Sequence, residues 1–569
     1  MDRKTIFAFA LIILVFLLLP YYYRLISPPK APSDSTRQGL PENVADSARG
    51  APTQTTPEAV SSAPRDTLSV PSPGDFSLEA KPRDVVVETP LYHMTFSTRG
   101  AVLTGCLLKS YAGQSDGKVQ MIRPGSTENL NLVLYRAGNP LNLKDVRFSS
   151  DQQEISVASG DQGSITLAAE TSSGGRIEKR LVFYGDSYRF DMQLQAQGIS
   201  DLDPYYELYW GSGLAITEAD TAQDIYYSKA YAFMGGELEK FDAKGDRTMG
   251  GGAEGETQWV AQRGKYFEVA LLPRSKPASG AIFGIEAQPL LGRYRPKVFS
   301  TALRMKGVLT ESDDAFAVYC GPIDQKLLTQ VHPKLETTMN WGWTVIEPFS
   351  KLILWTLKGL RTFIPNYGVV LIVFSVLVKV VLWPLTQKST KSMSRMAAIQ
   401  PKLKELQEKY KANPEKLNKA MMQLYKDEGV NPFSGCWPML LQMPLLYGLF
   451  IVFRSTIELR RAPFMLWIRD LSMPDVVAQL PFQIPMYGSQ VAILPILMGV
   501  TQLLMSRIMI TDPKQKLTVY FMPIFMVLIF NSLPSGLNLY YALFNLWTYL
   551  QQMMLKKQGL IASVSPSGK

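Results

Sequence analysis

The sequence predicts a membrane α-helical bundle of six spans joined to an all-β domain outside the bilayer. Three observations predict it: charge-free runs long enough to cross a membrane, basic residues gathered on one side of them, and a polar central block of short alternating strands. Of 569 residues, 19% are charged and 46% hydrophobic, against roughly 25% charged in ordinary soluble domains. Three cysteines (Cys106, Cys320, Cys436) cannot build a multi-disulfide scaffold or a four-thiolate zinc site. Two histidines, His93 and His332, leave little material for a metal centre. A wholly soluble chain and a secreted mini-protein are both excluded.

Thr5 to Tyr23 is 19 residues without a charge, enough to cross a hydrocarbon core of about 30 Å as a helix. Arg3 and Lys4 precede it, and Tyr21, Tyr22 and Tyr23 close it like an interfacial belt. The alternative is a cleaved signal peptide, but no small-x-small site follows. Residues 1–26 are therefore expected to be an uncleaved anchor. Thr362 to Gln387 carries one charge, Lys379, while Gly429 to Phe453 and Val476 to Ser506 carry none. Leu517 to Leu555 is charge-free for 39 residues, nearly 60 Å as one helix and about twice the bilayer core. Pro534-Ser535-Gly536 near its middle divides it into two helices by a tight reversal. The expected total is six spans.

Orientation follows from lysine and arginine. Between the second and third spans stand ten basic residues, including Lys388, Lys402, Lys404 and Lys409, against five acidic ones. Alternation puts these, Arg507, Lys514, Lys516, Lys556 and Lys557 on the side of Arg3 and Lys4. Both termini are expected in the cytoplasm and residues 27–336 outside. One stretch is discordant: Arg454 to Arg469, with Arg460 and Arg461, falls on the outer side.

Residues 27–84 are rich in Pro, Ser, Thr and Ala and read as a flexible linker that cannot offset chain entropy by burial. Residues 85–336 read as a β-sandwich domain. Tyr92 to Ser97 alternates, Arg180–Tyr184 and Ser187–Met192 flank Gly185-Asp186 as a hairpin, and Lys265 to Pro273 is another strand. No nucleophile-elbow or paired-carboxylate constellation supports catalysis there. Cys106 and Cys320 either pair in an oxidising compartment or remain buried thiols. Residues 337–363 contain an amphipathic helix, its apolar positions Ile346, Phe349, Leu352, Ile353, Leu357 and Leu360 fitting the membrane interface. Residues 364–556 form the five-span core, 557–569 a cytoplasmic tail. Within the core, 388–428 reads as a helical hairpin broken at Asn413-Pro414, either a solvated topology determinant or a contact surface for an anionic partner.

Lys379 is the notable intramembrane charge. It lies about 9 Å from the cytoplasmic end of its helix, and a lysine there costs roughly 2.5–3.5 kcal/mol to insert. Snorkelling to the interface is one account of it. The other is a hydrated groove shared with Ser375, Gln442, Thr501, Gln502, Asn531, Asn538, Tyr540, Tyr541 and Asn545, each of which alone is an ordinary helix–helix hydrogen-bonding residue.

Asn431-Pro432-Phe433-Ser434-Gly435-Cys436-Trp437-Pro438 through Pro444 resembles the third-span signature of the YidC-type membrane protein insertases. Trp383-Pro384-Leu385-Thr386, Gln400-Pro401-Lys402, Leu494 to Val500 and Pro534 to Tyr541 follow the family in order. The anchor and outer block resemble the Gram-negative branch. The resemblance implies a periplasmic β-supersandwich, a five-helix insertase core in the bacterial inner membrane, and no bond chemistry, cofactor or specific nucleic-acid recognition. It implies a positively charged groove open to cytoplasm and lipid, with Lys379 where the family usually has arginine. A hydrophobic slide would comprise Leu441, Leu445, Phe450, Phe521 and Phe525, and the cytoplasmic hairpin with Lys402, Lys404 and Lys409 would receive substrate. Implied partners are nascent inner-membrane proteins, the Sec translocon, the ribosome and membrane lipids. The alternatives are a secondary transporter with an outer ligand-binding domain, or a glycan-handling sandwich using Tyr205, Tyr206, Tyr209 and Trp210.

Overall fold

The computed structural model describes residues 75–79, 81–114, 117–242, 249–289, 291, 296–311, 313–411, 413–429, 437–484, 487–509 and 516–558. The expected anchor, most of the linker, Cys436 and nearly all of the tail lie outside the described residues, as do the side chains of Leu441 and Lys404.

The polar block folds as a large all-β domain. One sheet of five strands runs in the order Lys118–Gln120, Val102–Ala112, Tyr92–Ser97, Asp84–Glu88, Glu154–Ser156, the last pair parallel. The other sheet has fourteen strands. Tyr92–Ser97 buries alternate residues (Tyr92, Met94, Phe96), as the period of two requires when one face meets the core. The expected hairpin is Arg176–Tyr184 paired antiparallel with Arg189–Gln197, in a register that puts Phe183 opposite Phe190. Lys265 and Tyr266 precede their strand, which is Phe267–Pro273. Every residue of it before Pro273 is buried, so it lacks the half-solvated alternation of a face strand. The Tyr206 and Trp210 side chains are core, and Tyr206 donates 2.5 Å to Asp314.

Two short helices belong to this domain, α1 (Thr221–Tyr227) and α2 (Gln325–Val331). Helix α3 (Glu347–Arg361) follows, with Pro348 at its start, Glu347 in the first turn and Lys358 and Arg361 in the last, all favoured by helix-end electrostatics. It has three faces rather than two. Ser350, Ile353, Leu354 and Leu357 are buried against the core; Lys351 and Lys358 make ion pairs; Phe349, Leu352, Trp355 and Phe363 just beyond its end are exposed.

Helix α4 (Tyr367–Ala398) runs 32 residues. It therefore absorbs Lys388 to Ala398, which the sequence assigns to the hairpin. Continuous helix propensity from Gln387 to Ala398 carries no breaker, so the helix does not stop at the last apolar residue. The hairpin itself is α5 (Gln400–Lys409) and α6 (Pro414–Asp427), with the Asn413 side chain accepting from Lys416 N at 3.1 Å as N-cap. Ile399 and Leu403 are buried against Met421, Leu424 and Tyr425. Lys402 is exposed and pairs with Glu428 at 2.6 Å, and Lys409 lies over the Tyr410 ring.

Helices α7 (Trp437–Ser455), α8 (Ile493–Met509), α9 (Lys516–Phe530) and α10 (Ser535–Lys557) complete the core. The block from Val476 to Ser506 is not one helix. Val476–Ile484 pairs antiparallel with Gly488–Ala492, and helix begins only at Ile493. Pro474, Pro481, Pro485 and Gly488 explain this, since none can sit in a helix interior cheaply. Among the described residues, one helix, α4 over Tyr367–Pro384, is long and apolar enough to cross a membrane by length and composition; Ile493–Ser506 and Val519–Phe530 are shorter apolar stretches. The long final run does divide, with α9 ending at Phe530 and α10 starting after Pro534. Close helix approach depends on small residues: a Cβ at Gly499 of α8 would lie 2.5 Å from Val527 of α9, and one at Gly448 of α7 would lie 3.3 Å from Ser350 N of α3.

Candidate functional site: a cation in the seam between two helices

Helix α4 divides cleanly. Val373, Val376, Leu377, Val380 and Val381 form an exposed stripe, while Val370, Leu371, Phe374, Ser375, Val378 and Lys379 form the buried one. Lys379 therefore points into the bundle, 5% exposed. Its Nζ donates to Thr548 Oγ1 of α10 at 2.8 Å and lies 5.0 Å from the Phe544 ring centroid. Snorkelling would carry the ammonium to the interface, and this contact across the bundle is a different solution. An ammonium has three donors, and no ion pair to a carboxylate is found for Lys379 among the described residues.

The same two helices share further polar contacts. Trp547 Nε1 donates to Ser375 Oγ at 3.0 Å, and Gln551 Nε2 to Thr386 Oγ1 at 3.3 Å. Ser375 Oγ also donates to Ile372 O at 2.7 Å. These contacts ascend both helices together, so α4 and α10 run in the same direction with a polar seam between them. Gln551 and Gln552 are buried, and Gln552 Oε1 has no hydrogen-bond partner among the described residues.

The other sequence candidates are distributed differently. Asn531 accepts from Ala492 N and donates to the carbonyls of Tyr487 and Gln490, so it holds the β-hairpin rather than the seam. Asn538 donates to Phe530 O and Leu533 O, satisfying the end of α9. It is ten residues from Thr548, about 15 Å along a helix. Thr501 donates to Met498 O within α8. Tyr540 is buried, its hydroxyl without a partner among the described residues and its ring 5.9 Å from Phe374, and Tyr541 meets Phe530 edge-on at 5.0 Å. Asn545 is buried, and Gln442 and Gln502 are half-buried. Of the ten candidates, the structure brings Lys379 and Ser375 to one seam. The sequence reading passes over Trp547, Thr548 and Gln551. Their signal is spacing: Phe544, Thr548, Gln551 and Leu555 recur at three and four residues and so share a face.

The apolar candidates divide as well. Phe521 and Phe525 stack at 5.7 Å on α9, Phe521 being 40% exposed. Leu445 and Phe450 are half-buried and pack against the core.

The β-domain end of the seam is covered by residues 456–475. Asn366 Nδ2 donates to Phe464 O, Ser535 Oγ to Asp470 O, and Gly536 N to Leu471 O at 3.0 Å. Gly368 and Gly536 permit this: a Cβ at either would lie within 2.6 Å of Phe464 or Phe453. The discordant arginines belong to the same cover. Arg460 Nε donates to Glu218 Oε1 of the β domain at 2.8 Å, its guanidinium 5.1 Å from the Phe267 ring, and Arg461 donates to Gly113 O. Lys358 of α3 bridges Asp324 at 2.9 Å and Glu458 at 2.8 Å. Burial opposes the Lys358 charge, but the two carboxylates outweigh it and raise its pKa. Burial likewise raises the Asp324 carboxyl, and the bound ammonium more than reverses this, so Asp324 is the firmly ionised partner. Burial dominates at Glu458 and at Glu218, both of which stay above the usual carboxylate range despite their cations. These arginines, half-buried at the junction, hold the β domain on the helices, which is why they stand against the charge bias.

Residues 84–356 match the family described as YidC periplasmic domain, and residues 359–561 match that described as 60Kd inner membrane protein. A membrane protein insertase YidC of Chlorobium luteolum is 34% identical, the match covering 99% of this chain and 97% of that one. One of Chlorobium phaeovibrioides is 36% identical, covering 98% and 95%. A solved structure described as an active YidC insertase with its first transmembrane domain resolved is 19% identical, covering 84% and 93%, with a TM-score of 0.35. Identity of 34–36% to the two Chlorobium proteins along nearly the whole length leaves one assignment: the chain belongs to the YidC membrane protein insertase family.

Proposed function

We propose that this chain inserts nascent hydrophobic proteins into the bacterial inner membrane, and that Lys379 in the α4–α10 seam is the group that meets the substrate's polar leading flank. Full-length similarity to the insertases carries the first part. The placement of an intramembrane ammonium against a neutral hydroxyl and an aromatic face, with donors to spare, supports the second.

A hydrophobic segment enters a bilayer readily; its short polar flank does not. An acidic flank residue arriving at the seam replaces the Thr548 hydroxyl as partner of Lys379, because a charge-assisted hydrogen bond is roughly twice as strong as a neutral one. The membrane potential then draws the flank outward, worth about 2.3 kcal/mol per charge per 100 mV. The apolar segment meanwhile leaves along exposed faces such as Val376 and Val380 of α4 and Phe521 of α9. The cover at residues 456–475 supports entry from the opposite, cytoplasmic end. The parallel run of α4 and α10 supports an odd number of spans between them, here α7, α8 and α9, as six spans with cytoplasmic termini require. In this reading residues 27–336 are periplasmic, 337–363 lie at the interface, and the α5–α6 hairpin receives substrate, with the ribosome and the Sec translocon as partners.

Reconstitution tests it. Purified full-length protein in liposomes is expected to protect the translocated flank of a short-tailed, single-span substrate from added protease, without ATP. Uptake of small solutes with no such protection would identify a transporter instead.

A further inference from the structure

The two cysteines of the β domain meet between its sheets. Cys106 lies on Val102–Ala112 of the five-stranded sheet and Cys320 on Asp314–Pro322 of the large one. Both are fully buried, and their Sγ atoms are 3.2 Å apart, with Met121 Sδ 3.7 Å from Cys320. A disulfide needs about 2.05 Å, so small side-chain rotations close the gap. We propose that Cys106 and Cys320 are oxidised to a disulfide that staples the small sheet to the large one in the mature protein. The proposal rests on the reading that this domain lies outside the cytoplasm, where thiols meet oxidants.

The step balances with an external disulfide as oxidant. The thiolate of one cysteine, its proton lost to solvent, attacks that disulfide and releases one small thiolate, leaving a mixed disulfide. The second cysteine's thiolate attacks the protein sulfur of the mixed disulfide and expels the other small thiolate. Two protein thiols are oxidised and one disulfide is reduced to two thiols. Burial raises the Cys320 thiol well above its ordinary pKa, so the exchange belongs to the moment before the sheets close. The consequence reaches the membrane. The strand carrying Cys320 leads within two residues of its end to Asp324, whose carboxylate grips Lys358 of α3. A staple at Cys320 fixes the strand on which that grip is mounted.

Full-length protein is purified from membranes and unfolded in guanidinium with iodoacetamide and no reductant. One alkylated cysteine, Cys436, is expected, and three after reduction. Parent protein should lose several degrees of Tm on reduction, while a C106S/C320S variant should not respond. Three alkylated thiols without reduction, on a domain that protease digests from outside intact spheroplasts, overturn the disulfide and leave the topology standing. A domain protected from outside protease, with free thiols, overturns the topology and the disulfide with it.

Discussion

Lys379→Glu and Lys379→Ala lower insertion of a substrate with a short acidic flank at least tenfold, and Lys379→Arg retains most of it. A hydrogen bond to a charged group contributes roughly 1.5–3 kcal/mol, and 1.4 kcal/mol is a factor of ten. The Glu variant falls furthest because it repels the flank. The variants are expected to fold: Thr548 Oγ1 still donates to Phe544 O at 2.7 Å, so removing the ammonium orphans no buried hydroxyl. Protease protection of the flank in liposomes measures it, with an uncharged-flank substrate as control. Equal insertion by parent, Ala and Glu variants would refute the role of the charge.

Lys179→Met destabilises the β domain by roughly 3–5 kcal/mol, because three buried carbonyls lose their donor at about 1–3 kcal/mol each. Lys179 is fully buried, and its ammonium donates to Gly100 O, Ala101 O and Leu130 O at 3.0, 3.1 and 2.9 Å. Three acceptors use all three donors. Ala101 and Leu130 have φ of 48° and 63°, left-handed values that cost non-glycine residues energy and persist because the ammonium gathers their carbonyls. Burial pushes the Lys179 pKa down to about 7. Between that value and the unfolded value near 10.5 the unfolded chain binds more protons, so stability rises with pH across that window. The Met variant loses this slope. Pulse proteolysis of the full-length protein from pH 7 to 10 reads both effects, and unchanged cleavage would contradict them.

What the sequence discloses of this fold depends on which interactions are local. Alternation at Tyr92–Ser97 and the Gly185-Asp186 turn specify their strands within a few residues, and Pro534 marks its reversal. Val476 to Ser506 misleads because absence of charge reports lipid compatibility and says nothing of conformation; its prolines carried the missing information. Lys379 is conspicuous in sequence because a buried charge is costly, but its partner is 169 residues away. Asn531 and Asn538 look like groove residues by composition, whereas short amides serve turn carbonyls equally well. Arg460 and Arg461 violate the charge bias, and the reason is invisible in sequence because their partners, Glu218 and Gly113, lie in the distant β domain.

The most direct measurement places a photo-crosslinking amino acid at Gln551 or Thr386 in the seam, and separately at Tyr487 in the β-hairpin. A ribosome-stalled substrate whose acidic flank has not yet crossed should link to the two seam positions, weakly in a Lys379→Glu background, and not to Tyr487. Linkage at Tyr487 alone, or seam linkage indifferent to the charge at position 379, would contradict entry through this seam.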